Sequence, residues 1–308
     1  MRRTESAQRS ALSRALLAAA ALTLPAGCAR QQVVDHPSAN FDGRIRFLVI
    51  HFTDEDFQRS LDILTKPSSY PVSAHYLVGR SGEAGYDHPV VFRLVDEAQR
   101  AWHAGPSRWQ RRENLNDTSI GIEIVYESQC PRDADVAARQ PWETDKTCAY
   151  PDFPPDQIAV VIDLARGILQ RHPDIDPSRV VGHSDIQPEI KTDPGPRFPW
   201  RQLAQAGVGA WPDADQVERL RAFFAAQPAS LAVVQEALRA WGYGVPSSGV
   251  EDERTREVLS AFHSHFEPEL RSDQADTGAV AILFALLSKY RPQELEKLRA
   301  KYPELPGG

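Results

Sequence analysis

Three residues in this chain have the types and positions to bind a catalytic metal ion: His51, His183 and Asp193. His51 follows the apolar run Ile45-Arg-Phe-Leu-Val-Ile50, and His183 follows Val180-Val181-Gly182. Asp193 precedes Pro194-Gly-Pro-Arg-Phe-Pro199, whose prolines forbid regular structure. Short β-branched runs read as buried strands. The ends of such strands, and the loops beyond them, are where α/β sheets place ligands. Two imidazoles and a carboxylate leave a tetrahedral Zn2+ with one position open to water, the catalytic rather than the structural pattern. No thiolate joins the set, and no HExxH helix occurs, so a zincin is excluded. The chain holds nine histidines, so spacing alone does not single out this trio; the sequence around it has to.

The elements that must position these residues form an α/β pattern over residues 42–206, with a mixed central sheet flanked by helices. Strands are expected at 45–50, 75–78, 90–95, 118–125 and 180–182. Phe57, Leu61 and Leu64, spaced by four and three, predict a helix over 55–65. Ile158, Val161, Ile162, Ala165, Ile168 and Leu169 share one face of a helix over 155–170, opened by Pro154-Pro155. Glu123 lies in Ile122-Glu-Ile124 of the central strand. It faces water at an edge, or it has a partner or a task, because a buried carboxylate needs one. A connecting segment, 207–230, carries a helix from Asp213 to Ala226. Residues 231–308 then read as a small C-terminal three-helix domain, with helices at Leu231–Trp241, around Val258–Phe266, and at Val280–Leu287. That is near the lower size limit for a self-sufficient core.

Five ordered motifs surround the trio: Phe47-Leu-Val-Ile-His51, Val72-Ser-Ala-His-Tyr-Leu-Val78, Ala101-Trp-His-Ala-Gly105, Leu115-Asn-Asp-Thr-Ser-Ile-Gly-Ile-Glu-Ile124, and Val181-Gly-His-Ser-Asp-Ile186 with Lys191-Thr-Asp-Pro-Gly195. In this order they resemble the type 2 N-acetylmuramoyl-L-alanine amidases, above all the lipoprotein AmiD-type members and their AmpD relatives. The resemblance implies a Zn2+ cofactor held by His51, His183 and Asp193, with Glu123 as general base and Lys191 stabilising the transition state. It also implies that peptidoglycan is the substrate, cut between N-acetylmuramic acid and L-alanine. His103 is expected to line the substrate cleft, and His75 to be a packed, hydrogen-bonded neighbour of the site. His36, His88, His172, His263 and His265 are read as surface or core residues. Some relatives carry a catalytic Tyr just before the His at position 75; this chain has Ala74, so that role rests on Glu123. Gln187-Pro-Glu-Ile190 replaces the family's more usual Gly-Arg before Lys191.

Arg2, Arg3, Arg9 and Arg14 precede an apolar run from Ala15 to Leu24, and Pro25-Ala-Gly-Cys28 follows. A basic start, a short apolar run and a small-residue end describe a secretory signal over residues 1–27. The run is too short to span a bilayer, which takes about 20 apolar residues. Cys28 after Ala26-Gly27 resembles the lipidation site of a bacterial lipoprotein, although Pro25 stands where an aliphatic residue is usual. Lipidated Cys28, a polar tether over 28–41 and Ala29 rather than Asp after the Cys imply attachment to the outer membrane, facing the periplasm. In such an oxidising compartment Cys130 and Cys148, which bracket a polar insertion, either bond to each other or remain two free thiols.

Composition excludes other classes. Of 308 residues 42% are hydrophobic and 25% charged, which is ordinary for a globular protein and rules out a wholly disordered chain. The formal charge is −7, about −10 once residues 1–27 are gone, and no Lys/Arg block occurs, so no nucleic-acid partner is expected. The segment from Leu231 to Tyr243 resembles the first helix of type 1 peptidoglycan-binding domains, which implies added affinity for the wall. Two rival functions stay open on the same residues: a non-catalytic peptidoglycan receptor, and a zinc peptidase that cuts within the stem peptide.

Overall fold

In the computed structural model, which describes residues 33–130 and 148–307, the run Phe47–Phe52 forms strand β1 near the middle of a five-stranded sheet. The other strands are β2 (Tyr76–Val78), β3 (Val91–Arg93), β6 (Ser119–Ile124) and β7 (Val180–Gly182), in the order β3-β2-β6-β1-β7. β1 pairs in parallel with β6 and β7, β2 pairs in parallel with β6, and only β3 runs antiparallel, so the sheet is mixed as expected. A two-stranded hairpin, β4 (Arg108–Trp109) and β5 (Arg112–Glu113), stands apart. The helices are α1 (Phe57–Thr65), α2 (Pro155–Arg171), the single turn α3 (His183–Ile186) and α4 (Trp200–Gln205). α5 (Ala214–Ala226), α6 (Leu231–Trp241), α7 (Glu253–Phe266), α8 (Thr277–Tyr290) and α9 (Pro292–Lys301) follow.

Strand alternation sorts β1 onto two layers. Leu48 and Ile50 join Ile120, Ile122 and Ile124 of β6 beneath α2, whose Ile158, Val161, Ala165 and Ile168 complete that core. Phe47 and Val49 face the opposite way, into a second core with Trp109, Val181, Ile186 and the apolar faces of α6, α7 and α8. The C-terminal helices thus form the layer over the second face of the sheet. Residues 42–308 make up one compact unit.

The junction between the sheet and these helices is close-packed. Trp109 is buried, donates Nε1–H to the Ser178 carbonyl at 2.9 Å, and meets the Tyr243 ring edge-on at 4.7 Å. A Cβ on Gly242 would lie 2.5 Å from the Trp109 ring, so only glycine fits under it. The C-terminal part has a fourth helix, α9, beyond the three expected. Pro292 opens it, and it buries only Leu295 and Leu298, too narrow an apolar stripe to stand out in sequence.

Cys130 and Cys148 form a disulfide, with an S–S distance of 2.07 Å, and residues 131–147 of the insertion lie outside the described residues. The expected signal segment 1–27, Cys28 and the start of the tether lie outside them as well. Residues 33–41 carry no helix or strand and are exposed. Among the described residues no helix is long and apolar enough to cross a membrane.

Candidate metal centre

The parallel strands deliver the three predicted ligands to one point. His51 is the penultimate residue of β1, on the face shared by Phe47 and Val49. His183 begins α3 directly after β7, the neighbour of β1 on one side. Asp193 is brought in by its loop, whose carbonyl accepts from Ser184 N at 2.8 Å, so α3 and the loop are tied together. His51 Nδ1 lies 3.0 Å from His183 Nδ1 and 3.2 Å from Asp193 Oδ2, and His183 Nδ1 lies 3.1 Å from the same oxygen.

Two imidazole nitrogens and a carboxylate oxygen are gathered here. Burial, with His183 beside it, lowers the His51 imidazole to about 4 against the pull of Asp193, so the ring is neutral. Burial works against an ionised Asp193, but the His183 and His51 rings outweigh it and hold the carboxyl well below its usual range. His183 Nε2 is buried without a partner. Two imidazole nitrogens and a carboxylate oxygen, crowded to about 3 Å, suit a cation at their centre: neighbouring vertices around a tetrahedral ion with bonds of about 2.0–2.1 Å lie roughly 3.3 Å apart. The trio can therefore hold a metal ion.

A chain of hydrogen bonds fixes the orientation of His51. Its Nε2 lies 2.9 Å from His103 Nδ1, His103 Nε2 lies 3.1 Å from Ser119 Oγ, and Ser119 Oγ donates to the Leu115 carbonyl at 2.6 Å. The assignment that satisfies every group has His51 Nε2–H donating to His103 and His103 Nε2–H donating to Ser119. That leaves the His51 Nδ1 lone pair aimed at the trio. A ligating histidine usually has its other nitrogen held in this manner. His103 does line the cleft, as expected, but both its nitrogens turn to protein, so it supports His51 rather than presenting a free group to a ligand. The His103 ring lies flat on Gly121, where an added Cβ would come within 2.5 Å of it. His75 accepts from Gly121 N at 3.0 Å and donates to the Gln99 carbonyl at 3.3 Å, and is structural.

Glu123 is opposite His51 in the β1–β6 register, so both side chains leave the same face of the sheet. Burial, and then the Asp193 charge, raise its carboxyl to about 8 despite nearby Lys191, and its Oε2 is enclosed without a hydrogen-bond partner. Glu123, Lys191, His183 and Asp193 line one cavity of about 180 Å3, with Trp102 at its wall. Trp102 is 47% exposed, and the Arg100 guanidinium covers its ring at 4.0 Å. A larger groove of about 940 Å3 lies between the β4–β5 hairpin and the C-terminal helices, away from the trio, and its lining includes four Arg, two Lys and two Glu. A second grouping of potential ligands, His263, Glu267 and Asp276, is partly committed to structure, although His263 Nδ1 and Glu267 Oε2 are buried without a hydrogen-bond partner. Asp276 caps α8 through Gly278 N and Ala279 N, and His263 bonds the Gln274 carbonyl.

Sequence reasoning missed two sets of partners: the His103–Ser119 relay and the groups that grip Asp185, described below. The relay left one signal. Ser119, Gly121 and Glu123 alternate with Ile120, Ile122 and Ile124, so one face of β6 carries small or polar residues where packing would call for large apolar ones.

Known proteins resemble this chain over most of its length. Residues 41–196 match the sequence model of the N-acetylmuramoyl-L-alanine amidase family. The N-acetylmuramoyl-L-alanine amidase AmiD of Escherichia coli is 41% identical over 286 residues, an alignment covering 89% of this chain and 97% of AmiD. The crystal structure of AmpDh3 from Pseudomonas aeruginosa matches with a TM-score of 0.74 at 40% identity, covering 84% of this chain and 99% of its own. Escherichia coli AmiD in complex with the substrate anhydro-N-acetylmuramic acid-L-Ala-D-γ-Glu-L-Lys matches with a TM-score of 0.68 at 39% identity, covering 83% and 93%. With both lengths so fully covered, the chain belongs to the N-acetylmuramoyl-L-alanine amidase family of hydrolases.

Proposed function

We propose that this chain hydrolyses the amide between N-acetylmuramic acid and the L-alanine of the peptidoglycan stem peptide, in cell-wall turnover or recycling, with Zn2+ held by His51, His183 and Asp193. The observation that carries the proposal is the convergence of the three ligand atoms, at 3.0–3.2 Å, beside the cavity that His183, Asp193, Glu123 and Lys191 line. Nitrogen and oxygen donors without thiolate, and a ligand count of three, suit a zinc ion that retains an open position.

Bound there, Zn2+ supplies a water of pKa near 7 and a Lewis acid for the amide carbonyl. Glu123 takes the proton from the attacking water. Enclosed in the cleft with its Oε2 otherwise unpartnered, it retains that proton for the departing nitrogen. A C–O bond forms and the C–N bond breaks, leaving a carboxylic acid on the muramic acid and a free amino group on the stem peptide. Lys191 places a positive charge beside the oxyanion as it develops. Trp102 offers an exposed ring at the cleft wall against which a sugar or peptide can pack.

Complexes of AmiD and of AmpDh3 with anhydromuramic peptides support muropeptide fragments as ligands of this cleft. We also propose, from Cys28 and the residues around it, that the chain is lipid-anchored on the periplasmic face of the outer membrane. Globomycin-sensitive processing and [3H]palmitate incorporation, both lost in Cys28→Ser, test that anchor.

The catalytic reading is tested by incubating the purified protein with an anhydromuramic peptide and with purified wall, and following release of intact stem peptide by mass spectrometry. Wild type loaded with Zn2+ releases the peptide. Glu123→Gln lowers the rate by about 10²–10⁴-fold, and Lys191→Met by about 10²–10³-fold. Zinc bound at one per chain with no cleavage would make the protein a receptor. Fragments cut inside the stem would make it a peptidase.

A further inference from the structure

Beneath the metal centre, the C-terminal helices reach across the sheet and take hold of one carboxylate. Asp185 lies two residues after His183 in α3 and is 2% exposed. Its Oδ2 accepts from Gly182 N at 2.7 Å, which closes the first turn of α3 around His183. Tyr243, which follows α6, donates its hydroxyl to Asp185 Oδ1 at 2.5 Å. His265 of α7 lies with Nδ1 2.8 Å from Asp185 Oδ2. Burial, with the Asp185 charge beside it, raises Tyr243 well above its ordinary value, so the phenol keeps its proton to donate. The His265 ring is sandwiched between Trp200 at 3.9 Å and Phe266 at 4.0 Å, with interplanar angles of 12° and 15°, and it cannot swing away.

The consequences run through α3 to two ligands at once. His183 is its first residue, and Ser184 N holds the Asp193 carbonyl at 2.8 Å. A rotation of α3 would therefore move His183 and Asp193 together. The same helix α7 also braces the approach to Lys191: Arg254, near its start, pairs with Glu189 of the preceding loop and donates Nε–H to the Gly244 carbonyl at 2.8 Å.

We propose that Tyr243 and His265 are positioning residues of the metal centre, acting through Asp185 to set the orientation of His183 and Asp193. The proposal rests on the reading of His51, His183 and Asp193 as metal ligands. It assigns the C-terminal helices a part in the hydrolytic site itself, in addition to any part in holding the wall. Asp185 accepts from three donors on three segments, two of them in the helical layer. Partners behind the ligating residues commonly govern metal affinity by 10–100-fold.

The test measures Zn2+ affinity of the full chain by competition with a chromophoric chelator, well below the unfolding temperature and without substrate. Tyr243→Phe removes one oxygen and leaves the ring in place. His265→Leu removes the nitrogen donor, whereas His265→Asn keeps an N–H near the position of Nδ1. Leu295→Ala, in α9 and without contact to Asp185, loosens the same helical layer and serves as the control. The proposal expects Zn2+ to dissociate about 10–100-fold more readily from Tyr243→Phe and His265→Leu. His265→Asn should recover most of the loss, and Leu295→Ala should lower the melting temperature while binding Zn2+ like wild type. Wild-type affinity in Tyr243→Phe and His265→Leu overturns the proposal and leaves the amidase reading intact. So does an equal loss in Leu295→Ala, which would reduce the contact to general stability. A wild type that binds no Zn2+ overturns both readings.

Discussion

Replacing Glu123 by Gln should inactivate the enzyme and stabilise its metal-free form, and the stabilisation should have a particular pH dependence. In the metal-free fold burial and Asp193 raise the Glu123 carboxyl from 4.5 to about 8. A group raised on folding contributes its full stability below its unfolded value, and loses it as pH rises toward the folded one. Below pH 4.5 the carboxyl is protonated in both states and the substitution is neutral. At pH 7 folding must bind a proton that the unfolded chain has released. At about 1.4 kcal/mol per unit over some 2.5 units, that costs about 3 kcal/mol. Glu123 as a residue keeps some contact with the cleft, which trims the expected difference to about 2 kcal/mol. The uncharged Gln avoids this cost. Urea titrations of metal-free wild type and Glu123→Gln at pH 4.5, 6, 7 and 8.5 should show a gap opening from near zero, widest at the highest pH. Adding Zn2+ should narrow it, because a nearby divalent cation favours the ionised carboxylate. A gap independent of pH, or a variant less stable than wild type at pH 8.5, would refute the assignment of Glu123 as a buried, unpaired carboxyl.

Three further outcomes follow from contacts described above or adjoining them. His103→Phe keeps a ring over Gly121 but deprives His51 Nε2–H of its acceptor, so Zn2+ affinity should fall about 10–100-fold; His103→Asn, which offers an oxygen near Nδ1, should recover part of it, and equal affinity in all three proteins would dismiss the relay. Glu97 is held at about 2: burial opposes its charge, but hydrogen bonds from Arg171, Tyr76 and His172 prevail. Its stabilisation, about 1–2 kcal/mol after allowance for solvent, is present above pH 4.5 and is lost as pH falls toward 2; acid titration of Glu97→Gln should show a deficit near neutrality that closes in that window. Replacing Cys130 and Cys148 together by Ser opens an 18-residue link and should lower stability by about 3 kcal/mol in the chain-entropy account, read as a shift in urea midpoint.

What the sequence made legible was whatever repeats with a period or closes a strand. β1 and β6 are visible as apolar, β-branched runs, α2 because its apolar residues recur at three and four, and β7 because a β-branched pair runs into Gly182 and His183. His51 and His183 close such strands and Asp193 lies in the loop beyond, but among nine histidines only the resemblance of the surrounding motifs to a known family named the trio. The β4–β5 hairpin was not legible. Two-residue strands have no period, and its turn uses Gln110 and Arg111 at positive φ instead of glycine. His265 read as an unremarked core or surface histidine, since its partner Asp185 is 80 positions away and a polar residue on a helix face normally marks the edge of the apolar stripe. Long-range pairs of buried polar groups leave little local trace: the relay showed only in the small and polar face of β6, and the grip on Asp185 not at all.

The second core, shared by β1 and the C-terminal helices, bears on any attempt to trim or recombine this enzyme. A fragment ending near residue 206 would bare Phe47, Val49, Trp109, Val181 and Ile186 as one continuous oily patch. Patches of that kind drive aggregation. A minimal catalytic fragment would need those positions repainted with polar side chains, and a chimera that borrowed another protein's C-terminal helices would have to reproduce the cavity for Trp109 under Gly242 as well as the join in the chain.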